Sequence, residues 1–319
     1  MTRVFALADA GWPEPAALRA ALARADAQLD HVSPVLERLL SARDQSLFSD
    51  FLVARVRGML IDLARQMLRV QAEATGERAR EHFAESHCDA LAERLFATPV
   101  LVAHCHALAL EWQLGLDLEA RFGVDLVLSP LIQQKIGDKD PEVASSAMAA
   151  LAAQTRFVRQ QRRMALPLTE LDAECFHTAL QLWRAYGGEE GSDALTRAEG
   201  RLRDSYDEGE GRLAMLARLV AALGRRSVEA LNIQAAGAAL FLSALAIRSN
   251  QPRTLVARST NAGQLVRLAL GLRAAGLKAG DVDLQLLSIH PDMTHATELD
   301  DLGTREASKW LSTAGAIVR

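Results

Sequence analysis

Residues 46 to 74, SLFSDFLVARVRGMLIDLARQMLRVQAEA, show the clearest structural pattern in the chain. Apolar side chains recur there at steps of three and four, and charged side chains occupy the other positions of the helical wheel. The apolar positions are Phe48, Leu52, Val56, Met59, Leu63, Met67 and Val70. A helix with 3.6 residues per turn brings such positions onto one face. The stretch therefore predicts an amphipathic helix that packs against other helices.

The rest of the chain continues in the same way, and the sequence predicts an all-α fold. Apolar residues make up 50% of the 319 residues but aromatic residues only 5%. β-branched residues rarely cluster, and no segment alternates polar and apolar residues as a half-buried strand does. The predicted helices cover residues 14–29, 34–42, 46–74, 77–96, 99–121, 130–136, 141–164, 169–186, 194–206, 212–223, 233–249, 262–275, 282–289 and 304–311.

Two segments align without gaps and suggest a helical repeat. Residues 33–51 and 129–147 both begin with Ser-Pro, and each predicts a short capped helix, a polar turn and a second helix. This is the form of a HEAT-like antiparallel hairpin. Because Ser-Pro and Asp-Pro are common helix starts in any fold, an irregular multi-helix array is the alternative. The second prediction on organisation is a linker at GGEEGSD, residues 187–193, between helical regions 1–186 and 194–319.

Composition bounds the function and the compartment. The net charge of −4 and the pI near 6.1 exclude a global positive field that would draw the protein to nucleic acid or anionic lipid. Three cysteines at distant positions match no disulfide or paired-cysteine metal spacing, which predicts reduced thiols in a cytoplasmic protein. The longest apolar windows are shorter than the roughly 18 to 20 residues that cross a bilayer, so we expect no membrane insertion.

Two groups of side chains could ligate a metal. The first has His82, His87 and Cys88 on one predicted helix and His104, Cys105, His106 and Glu111 on the next. The histidine spacings place neither pair on one helical face, and Cys105 in an apolar run is typical of a core residue. The second group lies in a predicted connection and comprises His290, Asp292, His295, Glu298, Asp300 and Asp301. Ordinary structural roles are the competing interpretation for both groups.

A basic segment, RFVRQQRRM, is the candidate surface for a partner. Arg156, Arg159 and Arg163 follow at steps of three and four on one predicted helical face, with Arg162 beside them. Such side chains can pair with carboxylates of a protein or with phosphates. A solvated helix face is the alternative, since arginine stems also cover apolar surface. Further along, RSTNAGQLVR from Arg258 predicts either an anion-binding helix start or a plain N-cap.

Reaction chemistry has no signature in the sequence. We find no GxGxxG, GxxxxGK[ST], GxSxG, HExxH or paired CxxC motif. The leading hypothesis is therefore a non-enzymatic adaptor or regulatory protein that binds a protein partner and needs no cofactor. The alternatives are nucleic-acid binding through a HEAT-like basic face, and a metal-dependent sensor or enzyme that uses the His/Cys hairpin.

Three stretches carry a family resemblance: QTRFVRQQRRMALPLTEL (154–171), AGAALFLSALAIRSNQPR (236–253) and GQLVRLALGLRAAGLK (263–278). In these stretches the chain resembles the bacterial family known as domain of unknown function 2336. The likeness covers the chain from Ser129 onward, and residues 1–121 do not share it. The resemblance implies a cytoplasmic bacterial all-helical protein with HEAT-like hairpins and no assigned reaction, and it supplies no site residues.

Overall fold

The computed structural model describes residues 15–41, 50–187, 192–293 and 302–315. Within these ranges the fold is all-α, as predicted, with no β-strand. The helices are α1 (Pro15–Ser41), α2 (Asp50–Thr75), α3 (Arg80–Phe96), α4 (Pro99–Phe122), α5 (Pro130–Ile136), α6 (Pro141–Gln161), α7 (Ala173–Gly187), α8 (Ser192–Ser205), α9 (Arg212–Leu223), α10 (Ile233–Ser249), α11 (Arg253–Ser259), α12 (Leu265–Ala274), α13 (Ala279–Ile289) and α14 (Thr304–Gly315).

The chain divides into two compact units that do not follow its order. The first unit takes the described residues of Met1–Val32, Leu110–Ala152 and Leu216–Arg319, and the second takes those of Ser33–Ala109 and Ala153–Met215. The linker predicted at residues 187–193 starts at the last residue of α7 and ends in the first turn of α8, and both helices belong to the second unit. The division between the units therefore does not coincide with that predicted break.

The second unit is built on α2, which packs against α3 and α8, while α7 packs against α3 and α8. The predicted apolar face of α2 is fully buried from Val56 to Met67. After α6, hydrogen bonds with Asp62 and Gln66 hold the chain against α2. The backbone N–H of Leu166 donates to Asp62 Oδ2 at 3.0 Å, and the amide of Gln66 donates to the Leu166 carbonyl at 2.8 Å. These bonds hold the loop after α6 against α2.

The first unit surrounds α10, whose side chains are buried along most of its length. α10 packs against α5, α11, α12 and α13, and α12 also packs against α14. The helix is kinked at Gly237, where φ is 70° and ψ is 166°. A side chain there would approach Ser129 Cβ to 3.1 Å, and Ser129 is the N-cap of α5. Glycine at this position therefore allows the close approach of α10 and the start of α5.

One predicted helix start is wrong. The sequence predicts a new helix at residue 34 with Ser33 as its N-cap, but α1 runs without interruption through Ser33 and Pro34. Proline inside a helix costs about 3 kcal/mol or more. Positions Leu22, Leu29 and Leu36 lie at steps of seven and are all buried, so the apolar face continues past the proline. Burial of that face offsets the cost.

The aligned Ser-Pro pairs consequently have different structures. Ser129 caps α5 and its hydroxyl accepts the Ile132 N–H at 3.4 Å, with Pro130 in the first helical position as predicted. Ser33 and Pro34, in contrast, are interior to α1. The two segments are therefore not equivalent at the Ser-Pro pairs that begin them, and in the described part of the chain they are not two copies of one hairpin.

In the described part of the chain, no single helix is both long and apolar enough to span a membrane. The two consecutive helices α3 and α4 pass that test only when taken together, as a bent pair and by length and composition alone.

Candidate functional sites

The arginine surface, defined as Arg156, Arg159, Arg162 and Arg163, is exposed at all four positions. Arg156 and Arg159 lie in the last turns of α6, and Arg162 and Arg163 lie in the turn that ends the helix. Among the residues that the structure describes, none forms an ion pair with any of the four. The sequence placed these residues on one helix, and the structure ends that helix a few residues earlier.

The end of α6 needs none of these arginines to satisfy its backbone. Met164 adopts a left-handed conformation with φ of 55°, its N–H donates to the Gln161 carbonyl, and the Ala165 N–H donates to the Gln160 carbonyl. This is the Schellman pattern of helix termination. The buried guanidinium of Arg55 also donates to the Gln161 carbonyl and, at 3.1 Å, to its side-chain oxygen. The exposed arginines are therefore available for other contacts.

The side chain of Asp62, which is bonded to the chain just after this turn, also has its hydrogen-bond partners within the fold. Asp62 accepts the Leu166 N–H and, at 2.7 Å, the side-chain amide of Gln66. Burial raises the pKa of Asp62, and the two hydrogen bonds act in the opposite direction. Its carboxylate is thus committed to the loop after α6, and it forms no ion pair with the arginine surface.

The predicted histidine groups do not assemble as proposed. His82 is exposed, while His87 stacks on Phe83 and contacts the Phe83 carbonyl at 2.9 Å. Glu111 is buried in an ion pair with Arg253 at 3.0 Å, which commits it to the first unit. His106 is 8% exposed and belongs to no group of potential metal ligands among the described residues.

The second predicted group is only partly described. His290 is half-buried at the end of α13 and Asp292 is exposed. Burial lowers the pKa of His290, and Arg121 acts in the same direction. His295, Glu298, Asp300 and Asp301 lie outside the described residues. The segment from Arg258 contains the plain N-cap of the two alternatives: the Asn261 side chain accepts the Gly263 N–H at the start of a short 3-10 helix that leads into α12, while Arg258 and Ser259 are in α11.

One predicted histidine does meet further ligand-type side chains. The His104 cluster consists of His104 from α4, Asp172 immediately before α7 and Cys175 in its first turn. One ligand atom from each residue lies within 4.8 Å of the other two, and this is the only such group in the part of the chain described. All three residues belong to the second unit. The sequence proposed His104 as a metal ligand but not Asp172 or Cys175 as its partners.

The contacts around Asp172 explain its position. Its Oδ1 accepts the Cys175 backbone N–H at 2.8 Å, so Asp172 is the N-cap of α7. Its Oδ2 lies 3.4 Å from His104 Nδ1. Burial alone would raise the pKa of Asp172, but the His104 imidazole and the Cys175 N–H outweigh it and hold the pKa at about 2. The carboxylate is therefore ionised at neutral pH.

The other two members of the cluster are buried. His104 is 2% exposed and Cys175 is 1% exposed. Neither ring nitrogen of His104 has an aligned hydrogen-bond partner among the described residues. Burial, followed by the neighbouring Asp172 carboxylate, raises the pKa of the Cys175 thiol. A reactive cysteine needs a lowered pKa and access to solvent, so this arrangement does not suit nucleophilic catalysis.

A sequence signal for this cluster exists but is weak. Asp172 and Cys175 form an Asp-x-x-Cys pattern at a helix start, which by itself indicates only a cap. Their approach to His104 depends on the packing that brings α7 beside the first turns of α4, at a sequence separation of about seventy residues. That packing cannot be read from local spacing.

Comparison with known proteins gives no relatives. No protein-family model matches the chain, and neither a curated protein nor a solved structure does so. The resemblance to domain of unknown function 2336 therefore stays a prediction.

Proposed function

We propose that the protein is a non-enzymatic adaptor that binds an acidic segment of a protein partner through the arginine surface. The observation that carries the proposal is the presence of four exposed arginines, without ion pairs among the described residues, within eight positions of the chain. Guanidinium groups form strong, often bidentate hydrogen bonds with carboxylates. A cluster of them at one helix end supplies a compact site for an acidic peptide.

Many other arginines support this reading because the fold uses them internally. Arg55 caps α6, Arg212 lies fully buried over the Phe157 ring at 3.6 Å, and Arg253 pairs with Glu111. Arg267 is buried against Asp26. In each case an acceptor or an aromatic ring of the chain itself occupies the guanidinium. The arginine surface has the same chemistry with no internal acceptor in the described structure.

An acidic protein segment fits the site better than nucleic acid does. Binding along a phosphate backbone requires a broad positive surface, and this protein has a net charge of −4. A short acidic peptide needs only a local patch. In the proposed assembly the α6 end provides the charge contacts, and no reaction takes place.

The test compares two charge-reversal variants. The first changes Arg156, Arg159 and Arg163 to Glu. The matched control changes Arg78, Arg225 and Arg305, which are exposed elsewhere, to Glu and alters the net charge by the same amount. Affinity purification from the native host, followed by mass spectrometry, identifies partners of the wild type. We expect the first variant to lose a partner that the control retains.

Direct binding then separates the classes of ligand. Purified protein is titrated with a polyglutamate peptide and with a single-stranded oligonucleotide at low salt. The proposal expects peptide binding that weakens at least tenfold in the arginine variant but not in the control. Equal partner recovery by all three proteins would refute the proposal, and oligonucleotide binding that depends on the same arginines would replace it with nucleic-acid recognition.

A further inference from the structure

The His104 cluster has a feature that its structural contacts leave unexplained. Asp172 has a role as the cap of α7, and Cys175 fits as a small buried residue. His104, however, places a polar ring in the interior, where Nε2 has no hydrogen-bond partner among the described residues and Nδ1 meets only the Asp172 carboxylate, without an aligned hydrogen bond. Buried polar groups in native proteins nearly always have partners, and an exception calls for an explanation such as an ion. One ring nitrogen faces the Asp172 carboxylate at 3.4 Å.

We propose that His104, Asp172 and Cys175 bind one divalent transition-metal ion of the zinc type, with a further coordination position open to water. The proposal is independent of the arginine surface. The proposed metal site joins the start of α7 to the first turns of α4, and all three ligand residues belong to the second unit.

The geometry is close to what such an ion requires. Zinc binds nitrogen and oxygen at about 2.0 to 2.2 Å and sulfur at about 2.3 Å, which in a tetrahedron separates the ligand atoms by roughly 3.3 to 3.8 Å. The 3.4 Å between His104 Nδ1 and Asp172 Oδ2 lies within this range. All three ligand atoms lie within 4.8 Å of one another, so side-chain adjustments of about 1 Å complete the triangle.

The donor set selects the class of metal. Calcium and magnesium bind through oxygen atoms, and this cluster offers oxygen from a single residue. Imidazole, carboxylate and thiolate together suit zinc and related borderline ions. The donor atoms of the cluster therefore favour a zinc-type ion over calcium or magnesium.

Charge balance favours the bound state. The ion carries two positive charges, Asp172 contributes one negative charge, and Cys175 contributes one when its thiol ionises. On binding, the Cys175 S–H bond breaks, the proton leaves to solvent, and Sγ bonds to the metal; His104 binds as neutral imidazole. The resulting centre is neutral, which suits a site where His104 and Cys175 are almost wholly buried.

The site is open to an ion from solvent, and the Asp172 carboxylate is oriented toward the cluster. The Asp172 side chain is 40% exposed, which gives an ion and a water ligand a route from solvent. The Cys175 backbone N–H holds Asp172 Oδ1 at 2.8 Å, so Oδ2 points to the cluster. Such outer contacts orient metal ligands and strengthen binding.

The test uses the full chain stripped with a chelator and then titrated with Zn²⁺ or Co²⁺. Asp172→Asn retains an N-cap side chain, and Cys175→Ala removes the thiolate. Cys88→Ala is the matched control, because Cys88 is also buried but contacts Ile61 outside the cluster. We expect the wild type and Cys88→Ala to hold about one equivalent of zinc and to show a thiolate-to-cobalt charge-transfer band. The other two variants should bind at least about tenfold more weakly.

Each result of the metal titration either supports or overturns the proposed metal site. Circular dichroism establishes which variants retain their helices. Release of about one proton per zinc by the wild type supports the thiolate ligand even where a variant fails to fold. Substoichiometric binding by the wild type overturns the proposal, as does a charge-transfer band that survives in Cys175→Ala or disappears in Cys88→Ala.

Discussion

Met164 packs directly against Gly58: a Cβ atom added at Gly58 would lie 2.7 Å from the Cβ of Met164. Met164 occupies the left-handed position that ends α6, a conformation that costs a residue with a side chain about 1 to 2 kcal/mol. The absence of a side chain at Gly58 lets this turn approach α2. The pair therefore lies where the turn that ends α6, which carries Arg162 and Arg163, packs against α2.

Gly58→Ala should lower the stability of the protein although alanine favours helix. The contact involves Cβ of Met164 rather than the flexible end of a side chain, so overpacking should cost about 1 to 3 kcal/mol. Gly200→Ala is the matched control, because Gly200 is also helical and no atom lies within 4 Å of its added Cβ. There we expect a gain of about 0.5 to 1 kcal/mol. Chemical denaturation measures both, and equal effects would contradict the packing argument.

Sequence reasoning recovered the helices because the apolar period is local. Three predicted helices, α5, α9 and α10, have the observed bounds. It failed at Pro34, where burial of one continuous face outweighs a local helix breaker, and it missed α11, whose seven residues are too few for a periodic pattern. The two candidate sites differ in the same way, in that one could be predicted from local sequence and the other could not. The arginine surface is a local pattern, whereas the His104 cluster depends on contacts between distant helices.

Asp26→Asn should be strongly destabilising. Asp26 and Arg267 form an ion pair in which the residues are 5% and 3% exposed. Burial lowers the pKa of Arg267 to about 10, yet it remains charged at neutral pH. Removing one partner leaves an uncompensated buried charge, which costs about 3 to 5 kcal/mol.

The control for this change lies on the same helix. Asp30 is exposed and its charge acts on Arg258 without forming an ion pair, so Asp30→Asn should lower stability by less than about 1 kcal/mol. Urea denaturation at neutral pH compares the two variants. A loss for Asp26→Asn no larger than that for Asp30→Asn would show that the buried pair does not hold the first part of α1 against α12.

His290 should make stability depend on pH in the mildly acidic range. Burial lowers its folded-state pKa below the ordinary value of 6.5; a hydrogen bond with the Thr260 backbone acts against this shift, and Arg121 acts with it. A depressed pKa means that the unfolded chain binds the proton more tightly. The stabilisation is complete above about pH 6.5 and is lost as the pH falls toward the folded-state pKa. His290→Gln should reduce this loss, measured as the difference in unfolding free energy between about pH 7.5 and about pH 5. An unchanged pH dependence would exclude His290 as its source.

The three cysteines should react slowly with a thiol reagent in the folded protein and quickly in denaturant. Cys88, Cys105 and Cys175 are all free and buried. Burial raises the pKa of each thiol, so the reactive thiolate is scarce as well as inaccessible at neutral pH. Labelling with a chromogenic disulfide should therefore give three equivalents per chain only after unfolding, without prior reduction. Fast labelling of the native protein would show that a thiol is accessible, and fewer than three equivalents in denaturant would show that a disulfide or another modification consumes one.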